Sequence, residues 1–171
     1  MIQRFGILLA ACLAFGAMAP ALAEEVVDAS QASTSAQPRI MFPAIHVADL
    51  TRSLAFYTSI LGMREYQRYP GGPGVVEVAL TYAADVPDEQ PTDSGSMLLL
   101  VHREDRDEPY RLGDAFSRLA IGVPDVRATV ARVADAGYAI VRPTSRTADG
   151  SLTIAIVKDP DGFVVELIEV K

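Results

Sequence analysis

The spacing of apolar residues changes in the same way twice along this chain. From residue 40 an extended apolar run closes on Ala44-Ile45-His46-Val47-Ala48-Asp49-Leu50. The period then becomes helical: Leu50, Leu54, Tyr57 and Leu61 fall at i, i+4, i+7 and i+11, one stripe of an amphipathic helix. Asp49 is the expected N-cap, its carboxylate accepting from free first-turn N–H groups, and Gly62 is the expected stop. Three strand-like runs follow, at about 63–69, 74–83 and 95–103. The second round opens at Ala120-Ile121-Gly122-Val123-Pro124-Asp125-Val126, where Ala, Ile, Val and Asp match the first heptad at a constant offset of 76. Asp125 is its N-cap, and Val126, Val130, Val133 and Ala134 form its stripe before Gly137. Strands follow at about 138–142, 151–158 and 162–170, the last two joined by the tight-turn sequence Asp159-Pro160-Asp161-Gly162.

Strand, helix and three strands, repeated, indicate a duplicated unit. The expected fold is α+β: two tandem βαβββ modules, about 39–104 and 113–171, forming a curled eight-stranded mixed sheet around a cleft. Alternate strand residues point into the cleft and helices cover the other face. Asp85–Ser94 reads as a long acidic loop inside the first module. Gly71-Gly72-Pro73-Gly74 reads as a turn and not a phosphate loop, because no helix follows it.

The first 38 residues follow neither period. Arg4, the apolar stretch from Phe5 to Ala19, and Ala21-Leu22-Ala23 ahead of Glu24-Glu25 read as a secretory signal peptide over 1–23. A retained membrane anchor and lipoprotein processing at Cys12 are the competing readings; the apolar run is short for a bilayer span. Residues 24–38 are small and polar and read as a flexible linker. Export implies a periplasmic or secreted domain with no stable membrane anchor after cleavage. Cys12 is the only cysteine, so a cleaved chain has no disulfide, thiol nucleophile or thiolate ligand. The net charge of -7 argues against nucleic acid, whose phosphates require a basic surface. The 50% hydrophobic content is enough for a sizeable core.

Two motifs carry a family resemblance. His46-Val47-Ala48-Asp49-Leu50, Ser53-Leu54-Ala55-Phe56-Tyr57 and Leu61-Gly62-Met63 resemble the opening unit of the vicinal oxygen chelate superfamily, which includes glyoxalases, bleomycin-resistance proteins and extradiol dioxygenases. The run from Lys158 to Glu169 resembles the closing hairpin of glyoxalase I. The resemblance spans about residues 40–171. It implies the fold; activity does not follow, since one fold hosts many functions.

The resemblance also implies a metal site with one ligand from each of four strands. Alignment on the motifs places Phe42, Leu99, Arg118 and Glu166 at those positions, with Phe42 and Arg118 again 76 apart. Phe and Leu donate nothing to a divalent ion and Arg repels it. The expectation is therefore no metal and no cofactor. His46 lies four residues after Phe42 on the same face, on the order of 13 Å away. It resembles a position where glyoxalase I contacts substrate, or is simply a polar residue closing the strand. Arg118 and Glu166 are expected to meet, either as a structural ion pair or as an anion-binding group oriented by a carboxylate. Glu166 is the candidate proton acceptor, but a guanidinium beside it favours the charged carboxylate and weakens that role. His102, Glu169, Arg103, Arg106 and Arg111 are expected to be solvated, and Arg142 and Arg146 to precede the seventh strand.

The candidate ligand-binding set is thus Phe42, His46, Leu99, Arg118 and Glu166. Three functions remain open. The first is binding of a small organic ligand, anionic where Arg118 is its anchor, without metal. The second is glyoxalase I-like lyase or isomerase chemistry on a thiol conjugate or 2-oxo compound, with a displaced metal or with Glu166 and His46 as acid and base. The third is a non-catalytic envelope interaction protein whose cleft is filled. Related proteins often pair as homodimers.

Overall fold

A computed structural model of the chain describes residues 40–82, 97–106 and 108–170. The expected signal peptide, the linker and the Asp85–Ser94 loop lie outside the described residues. Among the described residues no helix is long and apolar enough to cross a membrane.

The first module comprises β1 (Ala44–Val47), α1 (Leu50–Ala55) continuing into a π-helical turn (Phe56–Ile60), β2 (Arg64–Pro70), β3 (Val75–Thr81) and β4 (Met97–Arg103). The second repeats it: β5 (Leu119–Gly122), α2 (Val126–Asp135), β6 (Ile140–Arg146), β7 (Leu152–Lys158) and β8 (Val164–Val170). The eight strands stand as two four-stranded mixed sheets, ordered β1-β4-β3-β2 and β5-β8-β7-β6. In each, the opening strand runs parallel to the closing one and the other neighbours are antiparallel.

The caps are local and symmetric. Asp49 accepts the Arg52 N–H at 3.0 Å and Asp125 the Ala128 N–H at 2.9 Å. The helices differ within. In the first, the Leu61 N–H reaches back to the Phe56 carbonyl, and this five-residue step widens the turn. Phe56, Tyr57, Ile60 and Leu61 are all buried as a result, a wider face than a 3.6 period predicts. In the second, Ala134 is exposed and Thr129 takes the expected buried place beside Val126 and Val133. The β6 strand extends past its expected end to Arg146, with Pro143 inside it, so Arg142 and Arg146 both lie on β6 and precede the seventh strand as expected. Proline is tolerated there because β6 is an edge strand and its register shifts between Arg142 and Ser145.

One core joins the modules. It takes Ile45, Val47, Val78, Leu80 and Leu100 from the first sheet, Leu119, Val157, Val165 and Leu167 from the second, and the helix side chains between them. The Phe56 ring meets Tyr138 edge-on at 5.0 Å, and Arg132 of α2 donates to the Ile60 carbonyl at 3.0 Å. The β7–β8 turn adds a polar clamp. Asp161 accepts from the Ala48 N–H at 2.8 Å and the Ser53 hydroxyl at 2.9 Å, 113 and 108 residues away in sequence. Asp159 accepts the Tyr57 hydroxyl at 2.8 Å. Burial pushes the Asp159 carboxyl up, against the hydrogen bonds from Tyr57 and the Phe163 N–H that lower it. Burial and the neighbouring carboxylate push the Tyr57 phenol up as well, keeping it a neutral donor.

Candidate functional site

Parallel pairing of β1 with β4 sets Ala44 opposite Leu99, and pairing of β5 with β8 sets Ala120 opposite Glu166. Ala44 and Ala120 differ by the repeat offset of 76, so Leu99 and Glu166 occupy equivalent positions. Both project from the sheet face opposite the shared core, since the core takes their neighbours Leu98, Leu100, Val165 and Leu167. Phe42 and Arg118 come just before β1 and β5 respectively, and are not part of the ladders. For Phe42 this corrects its expected place on the first strand. Pro43, which follows it, has no N–H for a ladder bond and disfavours regular extension.

The two positions in the second module form a charged pair. Arg118 Nε donates to Glu166 Oε2 at 2.7 Å, and its Nη1 donates to the Ser117 hydroxyl at 3.3 Å. Its Nη2 has no protein partner among the described residues. Arg118 is about half exposed, 48%, and Glu166 is 15% exposed. In the first module Leu99 is buried beside Ala79 and Met97, with Tyr66 and Val101 against them, a small cluster separate from the main core. Phe42 is exposed at 38%.

A cavity of about 490 Å³ lies between the modules. Its wall includes Pro43, Met63, Tyr82, Met97 and Phe116, together with residues Arg118 to Gly122 along β5. Among the described residues, Arg118 is its only charged lining residue. Phe42, His46, Leu99 and Glu166 are not among its lining, so the five candidate residues do not converge on one cavity within the chain. The helix-covered faces of the sheets share the core, and the two expected half-sites sit on the other faces. Tyr82 donates to the Leu61 carbonyl at 3.0 Å, and burial pushes its phenol up to about 12.

His46 projects beside the connection between the modules. Its ring stacks on Tyr110 at 5.0 Å, and the Arg106 guanidinium lies 4.3 Å from the centre of the same Tyr110 ring. This cation–π contact draws Arg106 out of the solvated role expected for it. Two further expectations change. His102 is half-buried, its Nδ1 3.2 Å from the Val47 carbonyl. Glu169, at the equivalent step of β8, is half-buried and accepts the Val126 N–H at 3.1 Å, closing the first turn of α2. The signal for Glu169 was present in the repeat: it lies three residues past Glu166 on the helix-covered face. Arg103 stays exposed, paired with Asp105 at 2.8 Å.

The four positions that the resemblance assigns to a metal do not fit a divalent ion. Phe42 and Leu99 supply no donor, and Arg118 both repels a cation and occupies the one carboxylate available. Among the described residues no group of three His, Cys, Asp or Glu side chains could hold an ion elsewhere.

Comparison with known proteins places this geometry. The family model described as "Glyoxalase/Bleomycin resistance protein/Dioxygenase superfamily" matches residues 39–167. A probable lactoylglutathione lyase of Synechocystis is 33% identical over 132 residues, 76% of this chain and 94% of that protein. Among solved structures, the trypanothione-dependent glyoxalase I of Leishmania major is 30% identical with a TM-score of 0.60, over 77% of this chain and 87% of that one. A V278E variant of glyoxalase I from Zea mays is 26% identical with a TM-score of 0.64, over 76% of this chain; the chain spans 44% of that larger protein.

Proposed function

This chain belongs to the glyoxalase/bleomycin resistance protein/dioxygenase superfamily, and within it we propose an exported protein that binds a small organic anion without the usual divalent metal. The observation that carries this reading is the Arg118–Glu166 pair. Glu166 fixes the guanidinium through Nε and leaves Nη2 available at the wall of an apolar cavity. A half-exposed guanidinium held in one orientation loses little freedom on pairing with a carboxylate or phosphate, which favours an anion there. The apolar remainder of the wall suits a compact organic body.

Chemistry is left to second place. Glu166 as a proton acceptor is disfavoured while Arg118 is bonded to it. His46 stacks on Tyr110 and lies outside the cavity lining. The relatives' names support the other reading, a lyase acting on a thiol conjugate or 2-oxo compound, by similarity alone. A homodimer, common among related proteins, would present the open sheet faces to a second copy.

An anion screen on the cleaved protein by thermal shift, repeated on Arg118→Ala, tests the proposal. Wild-type stabilisation by a carboxylate that Arg118→Ala loses supports it. Lyase turnover that a chelator abolishes, with near-stoichiometric bound metal, overturns it.

A further inference from the structure

Tyr110 carries a buried polar atom that nothing satisfies. Its hydroxyl is shut off from solvent and has no hydrogen-bond partner among the described residues. An unmet buried hydroxyl opposes the arrangement that buries it, because the water it gave up is not replaced.

Two contacts hold the ring against that cost, and they differ in kind. The Arg106 guanidinium lies 4.3 Å from the ring centre and belongs to the same segment of chain. Its Nε donates to the Glu108 carbonyl at 3.0 Å and its Nη2 to the Pro109 carbonyl at 3.3 Å, which ties guanidinium, turn and ring together. This contact travels with Tyr110. The other is the stack on His46, with ring centroids 5.0 Å apart and 27° between the planes. Of these residues only His46 lies on the sheet. Its neighbours Ile45 and Val47 enter the core, so His46 projects from the opposite, open face, across the ladder from Val101. The stack alone therefore fastens this segment over the end of that face.

The ring also has room to leave. A cavity of about 390 Å³ adjoins it, lined by His46, Arg103, Asp105, Arg106 and Tyr110. None of the five belongs to the main core, so the ring can turn off the imidazole without disturbing it. A stacked aromatic pair contributes free energy of the same order as an unmet buried hydroxyl costs. Neither arrangement wins by much, and both are populated.

We propose that Tyr110 is an autoinhibitory latch. Closed, its ring occupies the aromatic position on His46. Open, its hydroxyl is hydrated, and the planar aromatic group of a ligand takes the same position on the imidazole. The latch does not depend on anion binding at Arg118.

The test is NMR of the His46 ring in the full chain. The protein has two histidines, and loss of signals in His46→Asn assigns the pair. Relaxation dispersion on the His46 signals is expected to show exchange between stacked and unstacked positions in the wild type. Tyr110→Phe keeps the ring and drops the hydroxyl. It should shift the balance toward the stack about tenfold and silence the exchange. Tyr110→Ala, with its fold confirmed by circular dichroism, should hold the signals at the unstacked position. Each form is then titrated with p-cresol, the tyrosine side chain as a free molecule. Affinity should fall in the order Tyr110→Ala, wild type, Tyr110→Phe, the last about five- to tenfold below wild type, because a closed latch lowers the competent fraction. Equal exchange or equal affinity in wild type and Tyr110→Phe shows that the hydroxyl does not set the balance and overturns the latch. Failure of p-cresol to move the His46 signals of Tyr110→Ala overturns the aromatic position on the imidazole. Arg118→Ala should leave the exchange and the p-cresol affinity unchanged. Loss of both in that variant assigns the effect to the anion site and overturns the latch, whereas loss of carboxylate binding alone bears only on Arg118.

Discussion

The two modules share a backbone plan and differ in what they place on it. Leu99 and Glu166 stand at the same register, and Phe42 and Arg118, 76 residues apart, at equivalent places ahead of their strands. In the first module these positions are apolar, and Leu99 packs with Ala79 and Met97. In the second they are an ion pair with a free guanidinium nitrogen. A duplicated frame thus keeps ladder geometry, which depends on backbone, while side-chain chemistry drifts independently in each half. The clamp is equally one-sided. The second module offers Asp159 and Asp161 to the first. Of the counterparts of their partners, Pro124 stands where Ala48 donates its N–H, and Val133 stands where Tyr57 donates its hydroxyl. Thr129, the counterpart of Ser53, donates its hydroxyl to the Asp125 carbonyl at 2.8 Å instead.

The comparison can be broken most forcefully at the clamp. Asp161→Ala leaves the Ala48 N–H and the Ser53 hydroxyl without their acceptor and should cost about 2–4 kcal/mol by urea unfolding. An unchanged midpoint would mean the apolar core alone joins the modules. Next comes the charged pair. Arg118→Ala should weaken a bound carboxylate by about 2 kcal/mol, read by calorimetry, whereas Leu99→Ala should lower stability and leave the anion's affinity nearly alone. Similar losses of affinity for both variants would erase the proposed division of roles. The N-caps supply the symmetric control. Asp49→Ala and Asp125→Ala should each cost about 1 kcal/mol, and a severalfold inequality would show that capping, too, has diverged.

The smallest effect at neutral pH is expected from Asp159→Asn, which is nearly isosteric and retains an acceptor. Burial raises the Asp159 carboxyl above its ordinary value of 3.8. A raised folded-state value favours the protonated form, so its stabilising contribution is complete below 3.8 and disappears as pH rises through the folded-state value. The asparagine variant should therefore gain stability relative to wild type as pH rises across that window, measured by denaturant midpoints at a series of pH values. A difference that stays flat from pH 3 to 7 would remove burial as the cause.

Much of the fold was legible because its signals are local. The helix stripe from Leu50 to Leu61 spans twelve residues, the cap from Asp49 to Arg52 four, and a repeated heptad can be read by comparing the chain with itself. The elements therefore fall within a few residues of their expected limits, apart from β6, whose register shifts and interior proline look like a strand end. The widened turn at Phe56 was not legible, because a π-helical step follows from how four side chains pack into the core and not from their spacing. At the candidate site, residue type alone showed that Phe42, Leu99 and Arg118 offer no metal donors.

The sequence by itself therefore determined the duplicated βαβββ plan, the two aspartate caps and the donor chemistry of four aligned positions. Each depends on residue identity and short spacing. The tertiary structure decided that Asp159 and Asp161 clamp one module to the other, that Glu169 caps α2, that His46 stacks on Tyr110, and that the cavity opens along β5 without including Phe42, Leu99 or Glu166. The clamp bonds join residues more than a hundred positions apart. Such contacts exist only once hydrophobic burial has brought the two modules onto one core, and no periodicity along the chain encodes which polar groups then meet.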